Sequence, residues 1–297
     1  MLFPPGRGIL YAKEGEAMDR RMRQVAAGTG LVLAAAGALA ALDSRYRMEK
    51  TVYTLPFARL PAAFDGFRVV QLSDLHGSMF GRENRRLARA VQEQRPDLIA
   101  LTGDFAGVRT ELKATEALLR QIQELAPVYY VSGNHEWIKG SIWPMRQLLR
   151  RYGVHSLENG FEILEKDGAQ IVIAGVEDPQ AWTEQTKPET LAARIRREHP
   201  DAFVLWLGHR NFWVKEHPAL PVDLILSGHA HGGVVRLPGI GGLLNNDHGL
   251  GAEYEAGLYA GESFRMLVSR GLGNSVPGPR LFNRPELVTI VLKSEQA

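Results

Sequence analysis

Phe67-Arg68-Val69-Val70-Gln71-Leu72-Ser73-Asp74-Leu75-His76 decides how this chain is read: an apolar run stops abruptly and hands over to Ser-Asp-Leu-His. Short runs rich in Val, Ile and Leu recur at Leu98–Thr102, Val128–Ser132, Ile171–Ala174, Phe203–Leu207 and Leu224–Ser227, with a last one at Leu287–Leu292. Apolar on successive residues, such runs predict strands buried on both faces. Between them, Glu83–Gln94 carries Leu87, Ala90 and Val91, and Ala114–Leu125 carries Leu118, Ile122 and Leu125. That spacing puts one apolar stripe on each helix, turned to the core. From about Thr51 strand and helix signals alternate without linker or repeat, which predicts one α/β domain over residues 51–297. The Gly- and Pro-rich stretch Gly232–Gly278 is expected to form loops around a second sheet.

The chemistry-bearing residues stand where the runs stop. After Asp74-Leu75-His76 come Gly103-Asp104, Gly133-Asn134-His135-Glu136, Gly208-His209 and Gly228-His229-Ala230-His231. In open α/β sheets the ligand site lies beyond the carboxyl ends of the strands, so motifs this far apart in sequence can converge. Asp74-x-His76 and His229-x-His231 are expected to aim both side chains to one side of an extended backbone, so that each pair grips one ion. The glycines before Asp104, Asn134, His209 and His229 let the backbone turn and approach closely. A single histidine after a strand is more often a packed or surface residue. Five such motifs in order, offering only oxygen and imidazole donors in a chain without cysteine, point to manganese, iron or zinc.

This order of motifs resembles the calcineurin-like metallophosphoesterase superfamily over about Phe67 to Leu292. Arg95-Pro96-Asp97-Leu98-Ile99, His231-Gly232-Gly233 and Ser269-Arg270-Gly271-Leu272-Gly273 are similar to the YkuE/YaeI-like branch of membrane-associated phosphodiesterases. The resemblance implies a four-layer α/β/β/α sandwich with two mixed β-sheets, and two divalent metal ions (Mn, Fe or Zn) at the strand ends. It further implies that Asp74, His76 and His231 bind one ion, Asn134, His209 and His229 the other, and that Asp104 bridges both. The activity implied is phosphoester hydrolysis, as a phosphodiesterase or phosphatase, with a metal-bridging hydroxide attacking phosphorus in line. His135 resembles the family's histidine that binds no metal and stabilises charge or protonates the leaving oxygen. Glu136 either holds His135 or is a surface carboxylate; Arg210 either contacts a phosphate or is solvated. His155, His199, His217 and His248 have no motif partner and are expected to be structural or exposed. Phe105-Ala106-Gly107-Val108 follows Asp104 where protein serine/threonine phosphatases carry Asp-Arg-Gly, which disfavours that activity.

Val25–Leu42 is an uncharged run of 18 residues after an N-terminal extension, residues 1–24. As a helix it covers roughly 27 Å, close to the hydrocarbon thickness of a bilayer. A membrane anchor, a cleaved signal starting at Met18 and ending near Ala38-Leu39-Ala40, and a core helix all fit. Arg20, Arg21 and Arg23 before the run tip the balance toward the N-terminus inside and the domain outside the cytoplasm. The remaining composition is that of a globular protein: 35 Lys and Arg oppose 33 Asp and Glu, and no basic stripe suggests a nucleic-acid partner. No phosphate loop, dinucleotide fingerprint or nucleophile elbow is present. The expected partner is a phosphoester, either a small molecule or a lipid-linked substrate. A pyrophosphatase acting on a lipid-linked nucleotide such as UDP-diacylglucosamine, and a non-catalytic scaffold on the same fold, are the alternatives.

Overall fold

The structure, a computed structural model, describes residues 7–107, 111–182, 186–233, 235–237, 239–242, 253–274 and 280–296. Helix α1 (Arg7–Tyr46) holds the apolar run. Within it Arg21–Ser44 is the one stretch among the described residues long and apolar enough to cross a membrane. Val25, Leu31, Val32 and Leu39 are at least two-thirds exposed, so this run is not a core helix of the domain. Gly28, Gly30 and Gly37 would weaken such a helix in water but are ordinary in membrane spans.

The domain then runs β1 (Glu49–Phe57), β2 (Arg68–Leu72), α2 (Arg85–Glu93), β3 (Leu98–Thr102), α3 (Lys113–Ile122), β4 (Val128–Val131), α4 (Asn134–Ile138), α5 (Ile142–Arg151), β5 (His155–Ser156), β6 (Gly160–Lys166) and β7 (Ala169–Gly175). It continues with α6 (Pro188–Glu198), β8 (Val204–Leu207), α7 (Trp213–Glu216), β9 (Leu224–Ser227), β10 (Arg236–Leu237), β11 (Gly241–Gly242), β12 (Gly257–Ala260), β13 (Arg265–Val268) and β14 (Glu286–Ser294). Two mixed sheets of six strands result, ordered β1-β14-β2-β3-β4-β5 and β12-β13-β9-β8-β7-β6. Parallel pairing of β2, β3 and β4, and of β7, β8 and β9, turns the carboxyl ends of both sets to one edge of their sheets.

Strand alternation explains the layers. Val69, Leu98, Ala100, Tyr129 and Val131 face Ile171, Ile173, Leu205, Leu207, Leu224 and Leu226 in a core between the sheets. Their neighbours Val70, Ile99, Leu101, Val128 and Tyr130 pack instead against Leu87, Val91, Leu118, Ile122, Met145 and Leu149 of α2, α3 and α5. On the far side Val172, Ala174, Val204, Trp206 and Ile225 meet Leu191, Ala192, Ile195 and Trp213 of α6 and α7. Three cores separate four layers, the α/β/β/α sandwich expected from the resemblance. Each buried Leu, Ile, Val or Phe in them contributes about 1.5–3 kcal/mol.

Several boundaries differ from the sequence reading. Helix α2 starts at Arg85 because Glu83 and Asn84 have φ of 52° and 56° and so interrupt the helical backbone. The buried Asn84 side chain accepts the Phe80 N–H at 2.6 Å, which stabilises that turn. Strand β1 begins at Glu49, ahead of Thr51, and pairs in parallel with β14 from Glu49↔Glu286 to Phe57↔Ser294. The Gly- and Pro-rich segment contains two strands of the second sheet, β12 and β13, as well as loops.

Candidate metal centre

All the strand-end motifs meet. Asp74 and His76 follow β2, Asp104 follows β3, Asn134 and His135 open α4 after β4, His209 follows β8, and His229 and His231 follow β9. Asp74, His76, Asp104, Asn134, His209, His229 and His231 are all buried. The donor atoms fall into three groups, Asp74-His76-His231, His76-Asp104-His135 and Asp104-His209-His229, each with its atoms within 4.8 Å of one another.

Asp104 is the hub. Its Oδ2 lies 3.4 Å from His209 Nε2, 3.5 Å from His76 Nε2 and 4.0 Å from His135 Nε2. Its other oxygen accepts the His135 backbone N–H at 2.9 Å, which fixes the carboxylate's orientation. On one side His76 Nε2 faces His231 Nε2 at 3.1 Å, and His231 Nε2 lies 3.4 Å from Asp74 Oδ1. On the other, His209 Nε2 is 3.1 Å from Asn134 Oδ1, while its Nδ1–H donates to the Thr102 carbonyl at 2.8 Å. That bond fixes the tautomer and leaves Nε2 as the donor for a cation.

The backbone does not converge as expected. Asp74, His76, Asp104, His229 and His231 have φ of 52°, 45°, 59°, 69° and 49°. Each pair is brought together by left-handed turns, not by the alternation of an extended strand; Asp and His are among the residues that tolerate this conformation best. The close approaches that the glycines permit are present. A Cβ at Gly133 would stand 2.1 Å from Asp104 Oδ1, and one at Gly228 would stand 1.9 Å from Ser73 Oγ.

The electrostatics are those of a cation site. Burial, only partly opposed by Asp104, pushes the His76 imidazole down to about 3. Burial, only partly opposed by Asp74, does the same to His231. Burial, with His209 and Arg210 nearby, holds His229 well below its ordinary range. These rings are neutral, the form that ligates metal. Burial would also lower His209, but the Asp104, Asp74 and Asp178 carboxylates outweigh it and push it up to about 10. A proton on His209 thus takes the place that a cation would fill. The Nδ1 atoms of His76 and His231 are buried without a hydrogen-bond partner, and their Nε2 atoms converge on one point. This donor set fits divalent metal ions.

Glu136 neither holds His135 nor lies at the surface. It is fully buried; Oε2 accepts the N–H groups of Gly133 (2.8 Å) and Asp104 (2.9 Å), and Oε1 those of Phe105 (2.8 Å) and Ala106 (3.0 Å). Burial and then Asp104 push its carboxyl up to about 7, against the pull of those amides. Arg210 is not solvated either: Asp178 holds it through Nε at 2.6 Å and Nη2 at 3.2 Å, with Nη1 3.0 Å from His229 Nε2. It borders a cavity of about 230 Å³ lined also by His209, Phe212 and Trp213. His155 pairs with Glu162 and His217 with Glu189 at the surface, His199 stacks edge-on to Phe161, and His248 lies outside the described residues.

Two further supports stand behind the motifs, and the second of them had no sequence signal beyond a Gly-rich context. Leu272 N–H donates to the Ser73 carbonyl and Gly273 N–H to that of Asp74, so the Ser269–Gly273 loop braces the first motif. The buried Arg280 donates to the carbonyls of Gly271, Gly273 and His231, and Asn283 Nδ2 donates to His231 O at 2.7 Å.

The calcineurin-like phosphoesterase family profile matches residues 67–233. The chain is 30% identical over 255 residues to the uncharacterized metallophosphoesterase YkuE of Bacillus subtilis, covering 84% of this chain and 87% of that one. It is 30% identical over 234 residues to the phosphodiesterase YaeI of Escherichia coli, covering 76% and 82%. To a zebrafish (Danio rerio) transmembrane protein with metallophosphoesterase domain it is 27% identical, covering 80% of this chain and 56% of the relative. With the fold and the clustered donors in place, this chain belongs to the calcineurin-like phosphoesterase family, and is a hydrolase acting on ester bonds.

Proposed function

We propose that this hydrolase is a phosphodiesterase working with two divalent cations, and that α1 anchors it to a membrane as a single pass with the domain outside the cytoplasm. The observation that carries the reading is the position of Asp104 Oδ2, flanked by His76 at 3.5 Å and His209 at 3.4 Å. One carboxylate oxygen between two sets of donors suits a ligand shared by two ions. Asp74, His76 and His231 would hold the first ion and Asn134, His209 and His229 the second; manganese, iron and zinc match these donors. Cations in such a pair neutralise phosphoryl oxygens and make a water nucleophilic at neutral pH.

The chain's own residues supply the rest. His135 is the most open of the clustered histidines, its side chain 19% exposed, and lies on the rim with Nε2 4.0 Å from Asp104 Oδ2. There it is placed to give a proton to the leaving oxygen. Arg210, aimed by Asp178, faces the mouth beside His229 and is suited to grip a phosphoryl oxygen. The cavity beside it can take a group attached to the phosphate.

Metal analysis of the full chain in detergent, with turnover of aryl monoesters, aryl diesters and nucleotide pyrophosphates, tests this. Two ions per chain and a preference for diesters, abolished by chelation and restored by manganese, are expected. Preference for the pyrophosphate would favour the lipid-linked nucleotide reading. Undiminished turnover after complete metal removal would overturn the two-cation reading.

A further inference from the structure

The apolar part of α1 ends against the domain, beside the donor cluster. Asp43 accepts from Arg284 Nε at 2.6 Å, and the buried Ser44 Oγ accepts the Asn283 N–H at 3.3 Å. Asn283 in turn donates its side chain to the His231 carbonyl at 2.7 Å. One residue therefore joins the end of the helix to the backbone of a proposed metal ligand, a span on the order of 10 Å from its size and the two bonds.

Next to Asn283 stands Phe282, 56% exposed and with φ of 52°. A bulky aromatic residue in the left-handed region is strained, and this one buries nothing in the domain's cores. It borders a concavity with Arg236, Leu237 and Ile240, of which Ile240 is 73% exposed. The β10–β11 hairpin is fastened to this segment by the bridge between Val235 and Leu281 and by Arg236 N–H donating to Leu281 O at 3.0 Å. Phe282 and Ile240 thus belong to one surface beside the end of α1, whose Leu39 and Leu42 are 67% and 52% exposed. Arg47 and Arg284 stand around the same exit, Arg47 with its side chain 71% exposed.

We infer that Phe282 and Ile240 form a bilayer contact, seated in the headgroup layer of the membrane that α1 spans. The inference rests on the membrane reading of α1 and adds a second point of attachment to it. If α1 leaves the hydrocarbon after Leu42, Asn283 touches the chain at the boundary and Phe282 lies one residue away. Aromatic residues at that depth, with arginines toward the phosphates, match interfacial anchoring. The contact holds the mouth of the donor cluster at the level of lipid phosphates.

The absence of cysteine makes single labelled sites straightforward. Full-length chains carrying Phe282→Cys, Ile240→Cys, Leu39→Cys or Glu165→Cys, each labelled with an environment-sensitive fluorophore, would be reconstituted into phosphatidylethanolamine–phosphatidylglycerol vesicles with and without brominated acyl chains. Glu165, exposed beside the β6–β7 turn at the edge away from the donor cluster, is the aqueous reference. Labels at 39, 282 and 240 are expected to lose most of their fluorescence in brominated vesicles, while that at 165 keeps its intensity. Quenching at 39 with none at 282 and 240 would overturn the contact and leave the anchor standing. No quenching at 39 would overturn both. Hydrolysis plays no part in this readout, so it separates the contact from the catalytic reading.

Discussion

Replacing Glu136 by Gln tests whether the turn holding Asp104 depends on a buried charge. The carboxylate accepts four backbone N–H groups, two on each oxygen. An amide keeps one oxygen and turns an N–H₂ group toward the other pair, so two accepted bonds become donor facing donor. Hydrogen bonds to a charged group contribute about 1.5–3 kcal/mol each, which puts the loss at about 3–6 kcal/mol before relaxation. That is a large share of the roughly 5–15 kcal/mol that stabilises a domain. The turn affected runs from Asp104 to Ala106, so metal affinity should fall as well, on the order of 10–100-fold as for other partners that orient ligands. Urea unfolding of the metal-free protein and a manganese titration, both at pH 8 so that a carboxyl pushed up to about 7 is ionised, measure the two effects, with Glu124→Gln, exposed just after α3, as the control. Unchanged unfolding and manganese affinity in Glu136→Gln would refute the reasoning, because the buried charge would then be dispensable.

Asp104→Asn should lose bound metal and diester turnover together, as measured by elemental analysis and rate, if both sets of donors share its carboxylate as proposed. His135→Ala should keep its metal; its loss should be small on nitrophenyl esters and approach about 10²–10⁴-fold on alkyl esters, whose oxygen needs a proton on leaving. Equal losses on both would point to charge stabilisation instead. Gly228→Ala places a Cβ 1.9 Å from Ser73 Oγ and 2.4 Å from Asp74 Oδ2, so a stability loss of about 1–3 kcal/mol and reduced metal content are expected.

The frame of the fold was legible because the parallel strands are buried on both faces. Val69 and Val70 enter different cores, as do Leu205 and Trp206, so neither position tolerates a polar residue and the run stands out. Strand β1 was not legible for the opposite reason: as an edge strand it alternates exposed with partly buried residues such as Val52 and Tyr53, and reads as a polar stretch. The donor set was legible by residue type, since Asp, Asn and His directly after apolar strands have few other uses in such numbers. The support behind it was not. Glu136 looked ambiguous because its partners are backbone N–H groups, which leave no mark in the sequence. Arg280 is buried with carbonyl oxygens as its partners, and burial pushes its guanidinium down to about 10. A lone arginine in a Gly- and Pro-rich loop announces none of this.

The left-handed turns explain why those supports exist. Five of the seven proposed ligands take positive φ, a conformation costing L-residues about 1–2 kcal/mol each. Left alone, the loops after β2, β3 and β9 would relax and scatter their donors. Each is held by a distinct set of bonds: Asp104 by Glu136, the Asp74 turn by the amides of Leu272 and Gly273, and His231 by Arg280 and Asn283. These bonds come from α4 and from the segment between β13 and β14, not from the strands that carry the ligands. The strands bring the donors to one edge, and the late segments of the chain hold them in the strained turns that aim them at a common centre. A C-terminal substitution at Arg280 can therefore act on the proposed metal site as directly as one in the motifs themselves.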